Sequence, residues 1–103
     1  MSDFLAAAIQ LTSGQDPELN FNAAEEQIDL AVRRGAELIG LPENFAFMGD
    51  DSRRLEMAAA LSEQCSRFLV TMARRYQVAL LGGGFPVPGG DGAQTLNRSE
   101  LVD

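Results

Sequence analysis

Ala31-Val32-Arg33-Arg34-Gly35-Ala36-Glu37-Leu38-Ile39-Gly40-Leu41-Pro42-Glu43 holds the end of one element and the whole of the next. Ala31 and Val32 complete an apolar series that begins at Phe21 and passes through Ala24 and Ile28. Spacings of three and four are what a helix needs to bury a single stripe. Arg33 and Arg34 suit the negative end of the helix dipole, and Gly35 supplies a stop. Ala36–Leu41 then reads as a short apolar strand that Pro42 ends. A helix followed at once by a buried strand is the unit from which layered α/β folds are built.

Working outward, Phe4–Thr12 (FLAAAIQLT) is a nearly continuous apolar run, expected as a strand buried on both faces. Asp16 or Asn20 is the candidate N-cap of the first helix, with Pro17 in its first turn. Glu25, Glu26 and Asp29 fall away from its apolar stripe. Downstream, Asn44–Ser52 reads as a loop. Helical spacing returns between Arg53 and Tyr76, with Leu61, Cys65, Phe68, Leu69, Met72 and Tyr76 on one face. Ser62 or Ser66 is placed to start a new helix inside that span, so one or two helices fit. Val78–Leu81 is a third strand ending in Gly82-Gly83-Gly84, and Phe85–Gly92, rich in proline and glycine, reads as a loop or hairpin turn. Thr95–Val102 is a fourth strand, antiparallel because no helix precedes it. The order strand, helix, strand, helix, strand, strand predicts one α/β domain with a largely parallel sheet.

Composition narrows the chemistry. The chain has 103 residues, 46% hydrophobic and 22% charged, which describes a globular domain with a modest core. Its net charge of −7 and the lack of aromatics among its arginine pairs argue against nucleic acid. No apolar run approaches the ~20 residues of a membrane span. Met1-Ser2-Asp3-Phe4 has no basic segment before an apolar run, so a cytoplasmic protein is expected. A lone cysteine agrees with a reducing compartment. All eight basic residues are arginine, and histidine is absent. Ser-His and Cys-His catalysis, Schiff-base chemistry and the P-loop are therefore excluded within these residues.

Glu43 is the candidate catalytic residue. It follows a buried strand, where open α/β sheets place their ligand sites. Phe45, Phe47 and Met48 after it are expected to keep water away and so make the carboxylate a better base. The plainer alternative is an exposed loop acid or a cap. The glycine triplet lacks the third glycine of G-x-G-x-x-G, and prolines stand where a helix should open, so a tight turn is expected there rather than a phosphate cradle. Cys65 lies in an apolar stripe with no histidine to activate it and reads as a buried hydrophobe. Asp50 and Asp51 mark a loop or helix start, and no metal site or cofactor is expected.

The stretch AELIGLPENF, Ala36 through Phe45, resembles the first signature of the nitrilase superfamily: an apolar strand, Leu-Pro-Glu, then an aromatic. AAIQLTSG is similar to that family's first strand, LVTMARRYQVALLGGGFP to its second helix and glycine-ended strand, and Leu96–Asp103 to the next strand. The resemblance implies the N-terminal portion of an α-β-β-α sandwich and hydrolysis of a small amide or nitrile by glutamate, lysine and cysteine. It implies Glu43 as general base, with Asn44 and Phe45 at the substrate. It also implies a homo-oligomeric intact enzyme. Pro-Glu-Asn-Phe followed by Ala-Phe-Met-Gly resembles the branch acting on omega-amides and deaminated glutathione.

This sequence departs from the family in having no lysine, and Cys65 falls in the wrong block for the nucleophile. Residues 1–103 are accordingly read as a partial domain, truncated before the expected lysine and cysteine and inactive alone. A non-catalytic α/β module that pairs with another chain is the competing reading.

Overall fold

The computed structural model describes residues 3–103. Met1 and Ser2, the first half of the N-terminal stretch read above, lie outside them. The elements are β1 (Leu5–Ala8), α1 (Pro17–Arg33), β2 (Ala36–Leu41), α2 (Asp51–Tyr76), β3 (Ala79–Pro88) and β4 (Thr95–Val102). They form one four-stranded sheet in the order β1-β2-β3-β4. β1, β2 and β3 run parallel, and β4 pairs antiparallel with β3, as expected. Phe21 of α1 meets Phe68 of α2 at 4.8 Å between ring centroids, so both crossover helices cover the same face of the sheet.

Register shows which side chains reach that covered face. Ala7, Ile39, Leu80 and Val102 align across the strands. Ile39 and Leu80 are fully buried under the helices, while Ala7 and Val102 pack at the margins. Side chains alternate along a strand. Ala8, Gly40, Leu81 and Leu101 therefore form the neighbouring row on the opposite face, which no helix among the described residues covers.

The helices form for the reasons their sequences give. Asp16 caps α1, accepting from the amide of Glu18, and Gly35 takes a left-handed φ of +94° past its end. Asn20, the other candidate cap, is instead a buried residue of the helix interior. Asp50 caps α2 by accepting from the amide of Arg53 at 2.9 Å, with Asp51 in the first turn. α2 runs unbroken for 26 residues. Ser62 and Ser66 start no new helix because their hydroxyls are engaged elsewhere, on the carbonyl of Ala59 and on Glu100 of β4.

Two strands differ from expectation. β1 is short, and it is mostly exposed rather than buried on both faces. It is an edge strand, with one neighbour and helices on one side only. β3 runs on through the glycine triplet to Pro88, so the expected loop contracts to the turn between Pro88 and Thr95. Proline is tolerated here because β2 pairs only as far as Gly82. The amide of Gly89 donates to Gln94 across the hairpin, so by alternation Pro86 and Pro88 turn their missing N–H away from β4.

Candidate active site

β2 ends at Leu41, and the chain turns immediately at Glu43 and Asn44. Glu43 is exposed and takes part in none of the ion pairs among the described residues. Asn44 has a left-handed φ of 57°, a conformation asparagine tolerates better than most residues. Its amide donates to the carbonyl of Gly84 at 2.7 Å, and its Oδ1 accepts from Nη1 of Arg54. Nη2 of Arg54 reaches Oδ1 of Asn97 at 3.3 Å.

The expected apolar screen over Glu43 does not form. Phe45 and Phe47 are 0% and 1% exposed because both turn into the core, while Met48 is 55% exposed. The ring of Phe45 lies 6.3 Å from Phe21, 6.1 Å from Phe68 and 6.3 Å from Phe85, centroid to centroid. Phe45 thus presents no ring surface to a ligand. Its burial anchors the segment that follows Glu43, and Ser13 Oγ donates to its carbonyl at 2.8 Å.

The glycine triplet forms the bed on which the turn rests. A Cβ at Gly82 would lie 2.5 Å from Leu69, one at Gly83 2.3 Å from the carbonyl oxygen of Leu41, and one at Gly84 2.3 Å from Asn97 Nδ2. Each glycine admits a different neighbour: α2, the end of β2, and β4. The triplet packs closely against its neighbours, and it lies within a strand instead of the expected turn.

Cys65 is fully buried, and burial first, then the charge of Glu100, pushes its thiol up to about 12. Its burial agrees with its place in the apolar stripe. No cluster of three or more metal-binding side chains exists among the described residues. A hollow of about 890 Å³ between α1 and α2, bordered by Phe21, Leu61, Phe68 and Met72, contains no residue of the Glu43 turn. It belongs to the helix layer rather than to this site. No helix among the described residues is long and apolar enough to cross a membrane.

Sequence reasoning singled out Glu43 but not the residues that hold it. Asn20, whose side-chain amide donates to the Ala46 carbonyl, carried a signal, since it lies four and eight residues before the buried Ala24 and Ile28, in line with the core stripe. Ser13 and Arg54 carried none.

A strand-ending Leu-Pro-Glu turn bedded on a glycine-rich parallel strand is the geometry at hand, and residues 5–103 match the family model described as carbon-nitrogen hydrolase. The chain belongs to the carbon-nitrogen hydrolase family. Among its relatives in that family, a deaminated glutathione amidase of Synechocystis sp. is 50% identical over 99% of this chain. The chain spans 38% of that relative's length. The crystal structure of the Caenorhabditis elegans NitFhit protein superposes with a TM-score of 0.85 at 30% identity, over 95% of this chain and 24% of that one. A glutamate-to-glutamine variant of an amidase from Nesterenkonia sp. AN1, with acrylamide added at its active site cysteine, gives 0.78 at 28% identity. That match covers 95% of this chain and 39% of the amidase. The strand and helix order of these nitrilase-fold hydrolases is the order found here.

Proposed function

We propose that this chain supplies the general base of an amide hydrolase, and that Glu43 is that base. The observation that carries the reading is the position of Glu43: an exposed carboxylate on a fixed turn directly past the end of β2. In the reaction Glu43 accepts the proton of a cysteine thiol as sulfur adds to the substrate's carbonyl carbon. A lysine stabilises the oxyanion, and ammonia leaves with the proton to give a thioester. Glu43 then takes a proton from water, whose oxygen attacks the thioester, releasing the carboxylic acid and restoring the thiol.

The lysine and the nucleophile come from outside these 103 residues, which contain no lysine and one buried, protonated cysteine. Alone, the chain is inactive. Asn44 serves as the residue that orients the base, and Phe45 as the buried wall behind it. The substrate is a small amide of the omega-amide or deaminated-glutathione type. The 50% identity to the Synechocystis amidase supports that choice over a nitrile.

The test is ammonia release from a panel of small amides and nitriles. It compares this chain, a longer form carrying the family's lysine and cysteine, and that longer form with Glu43→Gln. Activity only in the longer form, lost on Glu43→Gln, is the expected result. A folded longer form with no activity on any substrate would move the function to a non-catalytic module that binds a partner chain.

A further inference from the structure

We propose that Arg54 is a positioning residue for the base: its guanidinium ties Asn44 to Asn97 and so fixes the turn that carries Glu43 against the β3–β4 hairpin. The inference rests on the reading of Glu43 given above. Its geometry forms a closed ring. The Asn44 amide donates to Gly84, Asn97 lies against Gly84 with no room for a Cβ between them, and Arg54 donates to both asparagine side chains. The ring joins the end of β2, both strands of the hairpin and the first turn of α2.

A left-handed non-glycine residue is strained and persists only where its surroundings hold it. Asn44 is such a residue, next in sequence to Glu43. Bridging it to Asn97 takes a donor that reaches two acceptors at once, which the planar fork of arginine does and the single ammonium of lysine does poorly. Adjacent Arg53 serves a different purpose, directing Nη2 toward the Met57 sulfur at 3.9 Å on the exposed side of α2. Of two neighbouring arginines, one is committed to the turn.

The test has two arms. In this chain, amide hydrogen exchange is followed by NMR with Arg54, Arg54→Gln and Arg54→Lys. Arg54→Gln is expected to speed exchange at Asn44 roughly tenfold while Ile39 and Leu80 stay within roughly twofold, and Arg54→Lys to restore it only in part. In the longer hydrolase, Arg54→Gln is expected to lower kcat about tenfold with KM within about threefold. Exchange at Asn44 that is unchanged, or that rises in step with Leu80, overturns the proposal. So does an unchanged kcat in a variant whose Asn44 amide has loosened. A longer hydrolase that is inactive with Arg54 in place counts against Glu43 as base, and the exchange arm then decides alone whether Arg54 holds the turn.

Discussion

The side-chain amide of Asn20 donates to the carbonyl oxygen of Ala46 at 2.8 Å, joining α1 to the loop that follows Glu43 across 26 positions of sequence. The same side chain accepts from the Gly14 amide at 3.0 Å and donates to the Gly14 carbonyl at 2.8 Å. The Met48 amide also donates to Gly14 at 2.9 Å. One buried polar residue thus locks the loop before α1 to the loop after the candidate base. Arg54 holds the turn from the other side.

Replacing Asn20 tests that lock. Asn20→Ala leaves the buried Ala46 carbonyl without its donor and is expected to cost about 2 kcal/mol, the desolvation of an unmet polar group. Asn22→Ala, on the exposed side of the same helix, should stay within about 0.5 kcal/mol. Urea unfolding midpoints at constant slope measure both. Equal midpoints for the two variants would show that Asn20 is not a lock.

Gly83→Ala addresses the bed beneath Glu43. Its Cβ would stand 2.3 Å from the Leu41 oxygen and 2.9 Å from the Pro42 carbonyl carbon, both backbone atoms that no rotamer change can move. A loss of about 3 kcal/mol is expected, because the end of β2 must shift. Gly90→Ala meets nothing within 4 Å and should be nearly neutral. Thermal melts of the pair decide it.

The sequence was most legible where one period dominated. The stripe of α2 and the strand from Ala36 to Leu41 needed only spacing, a cap and a proline. β3 was misread beyond Leu81 because glycine and proline punctuate most strands, whereas here all of them past Gly82 occupy the part of a strand that has lost its β2 neighbour. β1 was misread because its apolar run describes what could be covered, and nothing among the described residues covers its outer face. The position of Glu43 just past a strand was legible from Pro42 and the apolar run before it. Its clamp was not, since Arg54 and Asn97 are 43 residues apart and neither breaks a local pattern.

Cys65 should resist alkylation. A thiol raised to about 12 is protonated at pH 7 to 9, so iodoacetamide labelling is expected only as fast as the protein opens. The folded pKa lies above the ordinary 9.0, so Cys65 contributes stability that is complete below pH 9 and declines as pH rises toward 12. Cys65→Ala should flatten the stability profile across that window. Rapid labelling of the native protein at pH 8 would contradict the assignment.

Glu25 gives the opposite dependence. Burial acts to raise its pKa, but hydrogen bonds from Tyr76 at 2.8 Å and Arg75 at 2.6 Å prevail and hold it below the ordinary 4.5. A depressed carboxylate contributes stability above its unfolded pKa and loses it as pH falls through the folded value. Tyr76→Phe should therefore weaken the α1–α2 tie near neutral pH and reduce the stability lost on acidification below 4.5. A steeper acid profile in Tyr76→Phe than in the native chain would refute this.

The uncovered face of the sheet has consequences for the chain in solution. Leu81 and Leu101 are register partners on that face, 43% and 67% exposed. β1 and β4 leave open edges on either side, although Arg98 and Glu100 place charge on β4. Apolar surface next to unpaired edges favours association with a second copy. Sedimentation is expected to depend on concentration. The double change Leu81→Ser with Leu101→Arg should shift the chain toward monomer, whereas Leu30→Arg on the helix layer should not. A native chain that sediments as a monomer at every concentration, with a sharp concentration-independent melt, would mean that four strands and two helices already make a self-sufficient unit.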